Sequence, residues 1–168
     1  MADLTALFPA PLVERAYLLL DRCRDAGLKL ALAESCTGGL VAGLLTEIAG
    51  SSEVVERGFV VYSNQAKHDL LAVSEELIQS HGAVSEAVAR AMAEGALSRA
   101  PVDLAVAVTG IAGPGGGSAA KPVGLVHFAG LKRGGPMLAR HQTFPGDRTA
   151  VRLASVAEAL AILEELIV

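Results

Sequence analysis

The chain has 168 residues, 52% of them hydrophobic, with 14 Lys and Arg against 18 Asp and Glu for a formal net charge of −4. A chain of this length buries roughly 70% of the surface that its unfolded form exposes, enough for one core. Scattered basic residues exclude a duplex nucleic-acid footprint, two cysteines exclude a disulfide framework, and no apolar run reaches the 18 or so residues of a membrane span.

The opening stretch MADLTALFPAPLVERAYLLL sets acidic residues before its apolar run and has no basic start. No secretion signal is therefore expected, and the compartment is the cytosol. Residues 11 to 26 carry Leu12, Ala16, Leu19, Leu20 and Cys23 at helical spacing, with Gly27 as the stop. LKLALAE (28 to 34) reads as a short strand, and a helix follows from Thr37 to Ala49. RGFVVYS (57 to 63) is a β-branched and aromatic strand. NQAKHDLLAV then reads as a short helix capped by Ser63 or Asn64, and helices at 74 to 80 and 85 to 99 start at Ser74 and Ser85.

VDLAVAVTG (102 to 110) is almost wholly apolar, as a strand buried on both faces should be. A glycine-rich loop, GIAGPGGGSAAKP, leads to two strands, VGLVHFAGL and PMLARHQTF, joined as a hairpin through Lys132 to Gly135. A last helix begins after Pro145-Gly146 with Asp147 as its N-cap. Helices between apolar strands imply an α/β fold with a sheet covered on both faces, and the hairpin makes that sheet mixed.

The stretch AESCTGG places Ser35 and Cys36 where the first strand hands over to a helix. Two roles stand open: Ser35 or Thr37 caps the helix, or Ser35 is a nucleophile facing the free N–H groups of the turn, among them Gly38 and Gly39. Cys36 is a competing nucleophile, since a thiol at a helix N-terminus has a lowered pKa. Neither G-x-S-x-G nor S-x-x-K surrounds Ser35, and the four histidines have no metal-site spacing.

Lys67 is the better candidate for the base. It sits in the first turn or so after VVYSN, where the positive end of the helix would depress its pKa, and a neutral lysine accepts a serine proton. Tyr62 could orient the lysine or relay a proton. Ser35, Tyr62 and Thr109 all lie at strand carboxyl ends, where open α/β sheets bind ligands. VTGIAGPGGG lacks both the Walker A and the dinucleotide glycine spacing, yet its N–H groups can face an anion. Arg148 and Lys121 are available as charged partners for a phosphate.

Taken together, AESCTGG, GFVVYSNQAKHDLL, HGAVSEAVARAMAEGAL, VTGIAGPGGG, KPVG and FPGDR resemble the CinA carboxy-terminal domain family, in the family's order and over roughly residues 10 to 165. The resemblance implies a three-layer α/β/α sandwich with a mixed, mostly parallel sheet. It further implies hydrolysis of the carboxamide of nicotinamide mononucleotide to nicotinate mononucleotide and ammonia, with no metal and no cofactor. It places the nucleophile on Ser35, with Lys67 and Tyr62 at the family's lysine and tyrosine positions and Thr109, Gly110 and Arg148 in the ligand pocket.

Joining the two readings makes Thr37, Gly38 and Gly39 the oxyanion donors. The chain is read as one amidohydrolase domain over residues 1 to 168, without the molybdopterin-binding-like domain and pyrophosphatase activity of longer family members. The expected partner is a small mononucleotide. A homodimer or larger homo-oligomer is also expected, formed through Ala-rich helices such as 85 to 99 and 149 to 168. The alternative function is a non-catalytic nucleotide-binding or regulatory module.

Overall fold

Alternation along the two central strands sets the layers. In β1 (Leu30–Glu34) Leu30 and Leu32 enter one apolar cluster while Ala31 and Ala33 enter another. β3 (Leu104–Gly110) repeats the division, with Leu104, Val106 and Val108 on the first side and Ala105 and Ala107 on the second. Both faces are buried, which is why these strands read as unbroken apolar runs.

The computed structural model describes residues 7–168; the expectation drawn from the first six residues lies outside them. The remaining elements are α1 (Ala10–Asp25), α2 (Leu40–Glu47), a short 3₁₀ turn (Ser51–Glu53), β2 (Val55–Val60), α3 (Asn64–Leu71), α4 (Glu75–His81), α5 (Glu86–Arg99), β4 (Leu125–Lys132), β5 (Met137–Thr143) and α6 (Arg148–Leu166). The sheet order is β2-β1-β3-β4-β5. β1 pairs in parallel with β2 and β3, whereas β3–β4 and β4–β5 are antiparallel. Only β4 runs against the others, so the sandwich is mixed and mostly parallel, as the resemblance implies. Helices α1, α2 and α6 cover the leucine and valine face, and α3 and α5 cover the alanine face.

Ser63, Ser74, Ser85 and Asp147 each accept a backbone N–H as N-caps, matching the sequence expectation. Two boundaries differ in ways that matter for the site. Helix α2 starts at Leu40 and not at Thr37, because Gly38 and Gly39 adopt positive φ angles of 59° and 98° that carry the chain through a turn first. Strand β2 ends at Val60, because the capping turn of α3 takes over the segment that holds Tyr62.

Some of the alanines of α5 and α6 pack inward. Ala89, Ala93, Ala96 and Ala159 are fully buried in the chain's own core, whereas Ala154, Ala157 and Ala161 of α6 are half-buried.

This topology gathers loops at one edge. The carboxyl ends of β1, β2 and β3 share a side, the β3–β4 loop leaves and returns there, and β5 brings the chain back to start α6 at the same edge. The β1/β3 boundary is the switch point where such sheets bind ligands.

Close approach of α5 to α3 requires Gly95, since a Cβ there would overlap the carbonyl oxygen of Leu71. Helix propensity favours alanine over glycine by about 1 kcal/mol, but a backbone clash in a packed core costs about 1–3 kcal/mol or more. Gly95→Ala is therefore expected to lower stability, measurable as a reduced midpoint in urea with an unchanged m-value.

Candidate active site

The end of β1 is fixed before any chemistry is considered. The N–H of Ser35 donates to Val108 O at 3.0 Å, extending the β1–β3 pairing by one residue. Glu34, only 2% exposed, folds its carboxylate back over the turn. There it accepts from the N–H groups of Gly39 (3.0 Å), Val41 (3.1 Å) and Ala42 (2.8 Å). The N-terminus of α2 is thus capped by Glu34, and neither Ser35 nor Thr37 caps it. The paired glycines serve this reversal of the chain. Gly38 N–H donates to Ser35 O at 3.0 Å and Gly39 N–H is held by Glu34, so neither is free for an oxyanion. Among the described residues, the N–H groups of Cys36 and Thr37 have no acceptor.

Relieved of capping, the Ser35 hydroxyl has one partner, Lys67 Nζ at 3.1 Å. Lys67 is no surface lysine: it is 1% exposed, and its amine also donates to Val61 O (2.9 Å) and Tyr62 O (3.2 Å). No carboxylate among the described residues forms an ion pair with it. Burial lowers its pKa from the usual 10.5, opposed in part by the field of Cys36. The cause is desolvation, where the helix dipole had been expected to act. Tyr62 orients the lysine through its backbone carbonyl. Its side chain is 61% exposed, and its phenol oxygen lies 3.2 Å from Arg148 Nη2.

Cys36 has the opposite character to the one its position suggested. It is 5% exposed, and burial pushes its thiol up to about 11. A protonated, covered thiol is a poor nucleophile.

Ser35, Tyr62, Lys67, Thr109, Gly110 and Arg148 all line one cleft of about 290 Å³, together with Gly113, Gly115 and Gly116 of the β3–β4 loop. This is near the lower end of ligand-site sizes. Thr37, Gly38 and Gly39 do not line it. The Thr109 hydroxyl donates to Ala83 O at 2.8 Å and ties the approach to α5 onto the sheet. Arg148 donates to Gly113 O at 2.9 Å and, among the described residues, forms no ion pair. Lys121 reaches away from the cleft to His81 O at 2.6 Å. A larger hollow of about 670 Å³ beside α1 is lined mainly by apolar side chains such as Phe8, Val13 and Ile48 and holds no nucleophile–base pair.

Sequence reasoning missed Arg152, whose Nε and Nη2 donate to Cys36 O and Thr37 O, each at 3.1 Å. Its spacing was a usable signal, because Arg148 and Arg152 are four residues apart on one helix and so share a face.

Residues 14–167 match the family model of the CinA C-terminal domain. The chain belongs to that family. It is 54% identical over 134 residues to a protein of Enterobacter agglomerans named nicotinamide-nucleotide amidohydrolase PncC, covering 80% of this chain and 82% of that one. It is 52% identical over 143 residues to a CinA-like protein of Syntrophobacter fumaroxidans, where the match covers 85% of this chain but 34% of the relative. The chain thus spans about a third of the longer curated relatives. Among solved structures, the competence/damage inducible protein CihA from Agrobacterium tumefaciens superposes with a TM-score of 0.95 at 53% identity, over 96% of this chain and 99% of that one.

Glu34→Ala would leave three N–H groups at the start of α2 without their acceptor, at about 1–3 kcal/mol for each buried group that finds no replacement. The variant is expected to unfold at least about 2 kcal/mol more easily than wild type in urea. In folded wild type, Cys36 is expected to resist alkylation by iodoacetamide at neutral pH and to react only on unfolding. Alkylation as fast as a model thiol would refute the covered-thiol assignment.

Proposed function

We propose that this chain hydrolyses the carboxamide of nicotinamide mononucleotide, giving nicotinate mononucleotide and ammonia, and that residues 1 to 168 act as one amidohydrolase domain. The observation that carries the reading is the Ser35–Lys67 contact with the lysine's other two neighbours. A neutral amine has two N–H donors and one lone pair. Val61 O and Tyr62 O take the two donors, which leaves the lone pair for the Ser35 hydroxyl proton.

Lys67 takes that proton as Ser35 Oγ attacks the amide carbon. The tetrahedral oxygen faces the unpaired N–H of Cys36, a residue that lines the cleft, in place of the Thr37-to-Gly39 set expected from sequence. Lys67 returns the proton to the leaving nitrogen, ammonia departs, and Ser35 carries the acyl group as an ester. Water, deprotonated by Lys67, then splits the ester to the carboxylate and restores the serine. Arg148, without a carboxylate partner beside the glycine loop, supplies the charge for a substrate phosphate.

A module that only binds nucleotides needs no buried amine aimed at a serine, so the catalytic reading is preferred. The unbridged Cys23 and Cys36 support a cytosolic setting, and no helix among the described residues is long and apolar enough to cross a membrane. The homo-oligomer is retained on the resemblance alone; the apolar residues exposed for it on α1 are Tyr17 and Leu18.

Ammonia release from nicotinamide mononucleotide is expected from wild type and should fall on the order of a thousandfold or more in Ser35→Ala and in Lys67→Ala, both folded. Tight nucleotide binding without ammonia would favour the module instead. The pH profile gives a second test. Lys67 must be deprotonated to act, so kcat/KM is expected to rise with pH along a limb whose midpoint lies below 10.5, the ordinary lysine value. Lys67→Arg, which cannot lose its proton, should be inactive across the range. A flat profile, or wild-type rates in Lys67→Arg, would sink the assignment of the base.

A further inference from the structure

The turn after Ser35 is gripped from two sides by opposite charges. Glu34 holds N–H groups on one side, and Arg152 of α6 holds the carbonyls of Cys36 and Thr37 on the other. Among the described residues Arg152 has no carboxylate partner. Its fork is engaged by these two carbonyls, although the geometry of a guanidinium also suits carboxylates and phosphates.

Both carbonyls that Arg152 holds belong to the turn that follows Ser35. The N–H of Gly38 donates to Ser35 O at 3.0 Å and closes the same turn, so the position of the Ser35 side chain depends on the grip of Arg152 as well as on that of Glu34.

From this geometry we infer that Arg152 is a positioning residue for the reaction: its fork on the carbonyls of Cys36 and Thr37 holds the turn so that the Ser35 hydroxyl stays against Lys67. The inference rests on the nucleophilic reading of Ser35, and it assigns Arg152 a role separate from that of Arg148. Both arginines leave the same helix face, but Arg148 goes to the loop and the phenol of Tyr62, where substrate binds, and Arg152 goes beneath the nucleophile turn.

The test uses Arg152→Lys, which keeps the charge and loses the fork, and Arg152→Ala with and without added guanidinium ion. Two readouts are taken on each: ammonia release from nicotinamide mononucleotide, and the rate at which a fluorophosphonate probe labels Ser35, with circular dichroism to confirm folding. Because the nucleophile turn is loosened and not removed, kcat is expected to fall at least about tenfold in Arg152→Lys and further in Arg152→Ala. KM should stay within about threefold of wild type, since the contact matters in the transition state more than in binding.

Labelling should slow in parallel, and guanidinium should restore part of the Arg152→Ala rate. A folded Arg152→Lys with wild-type kcat and labelling, or a loss confined to KM, overturns the inference. Wild type that labels at Ser35 but releases no ammonia overturns the amidase reading, and the labelling rates of the variants then decide the role of Arg152 alone. Wild type that neither labels nor releases ammonia overturns both.

Discussion

Lys67 Nζ meets two carbonyl oxygens and one hydroxyl and, among the described residues, no carboxylate. Burying an unpaired ammonium costs several kcal/mol even after relaxation, and giving up the proton avoids much of that cost. The same surroundings that make the charge expensive fix where the amine points. Burial by the sheet and α3 therefore both lowers the pKa of the amine and sets its direction, and the rest of the site is arranged around it.

The turn that carries Ser35 depends on a second division of labour. Had Ser35 capped α2, its hydroxyl would be committed to the backbone and could not meet Lys67. Glu34 removes that conflict by taking three N–H groups itself. A carboxylate at a helix N-terminus is favoured by both hydrogen bonding and the helix dipole, so the cap is strong as well as convenient. The two glycines allow it by turning the chain through positive φ before the helix begins.

Packing of the two faces makes this edge firm. Leucine and valine side chains fill the space beneath α1, α2 and α6, while alanines on the other face let α5 sit close to the sheet. Neither face tolerates much displacement, because interiors are packed to crystal-like density. The strand ends, the glycine loop and the start of α6 therefore meet in a fixed arrangement, although the end of β1 and the start of α6 lie more than 110 residues apart in the chain.

Local chemistry wrote much of this plainly. Apolar runs marked the two central strands, Ser63, Ser74, Ser85 and Asp147 marked helix starts, and the six ordered motifs marked the family and drew Ser35, Lys67 and Arg148 to attention. These signals are short-range or compositional, so they survive without coordinates. What tertiary structure alone decided is the electrical state of each group. Burial lowers the pKa of Lys67 and raises that of Cys36, Glu34 becomes a cap by folding back, and Arg152 reaches a turn that precedes it by 115 residues. Desolvation and hydrogen-bond direction depend on which distant atoms surround a side chain, and no local run of residues contains that information.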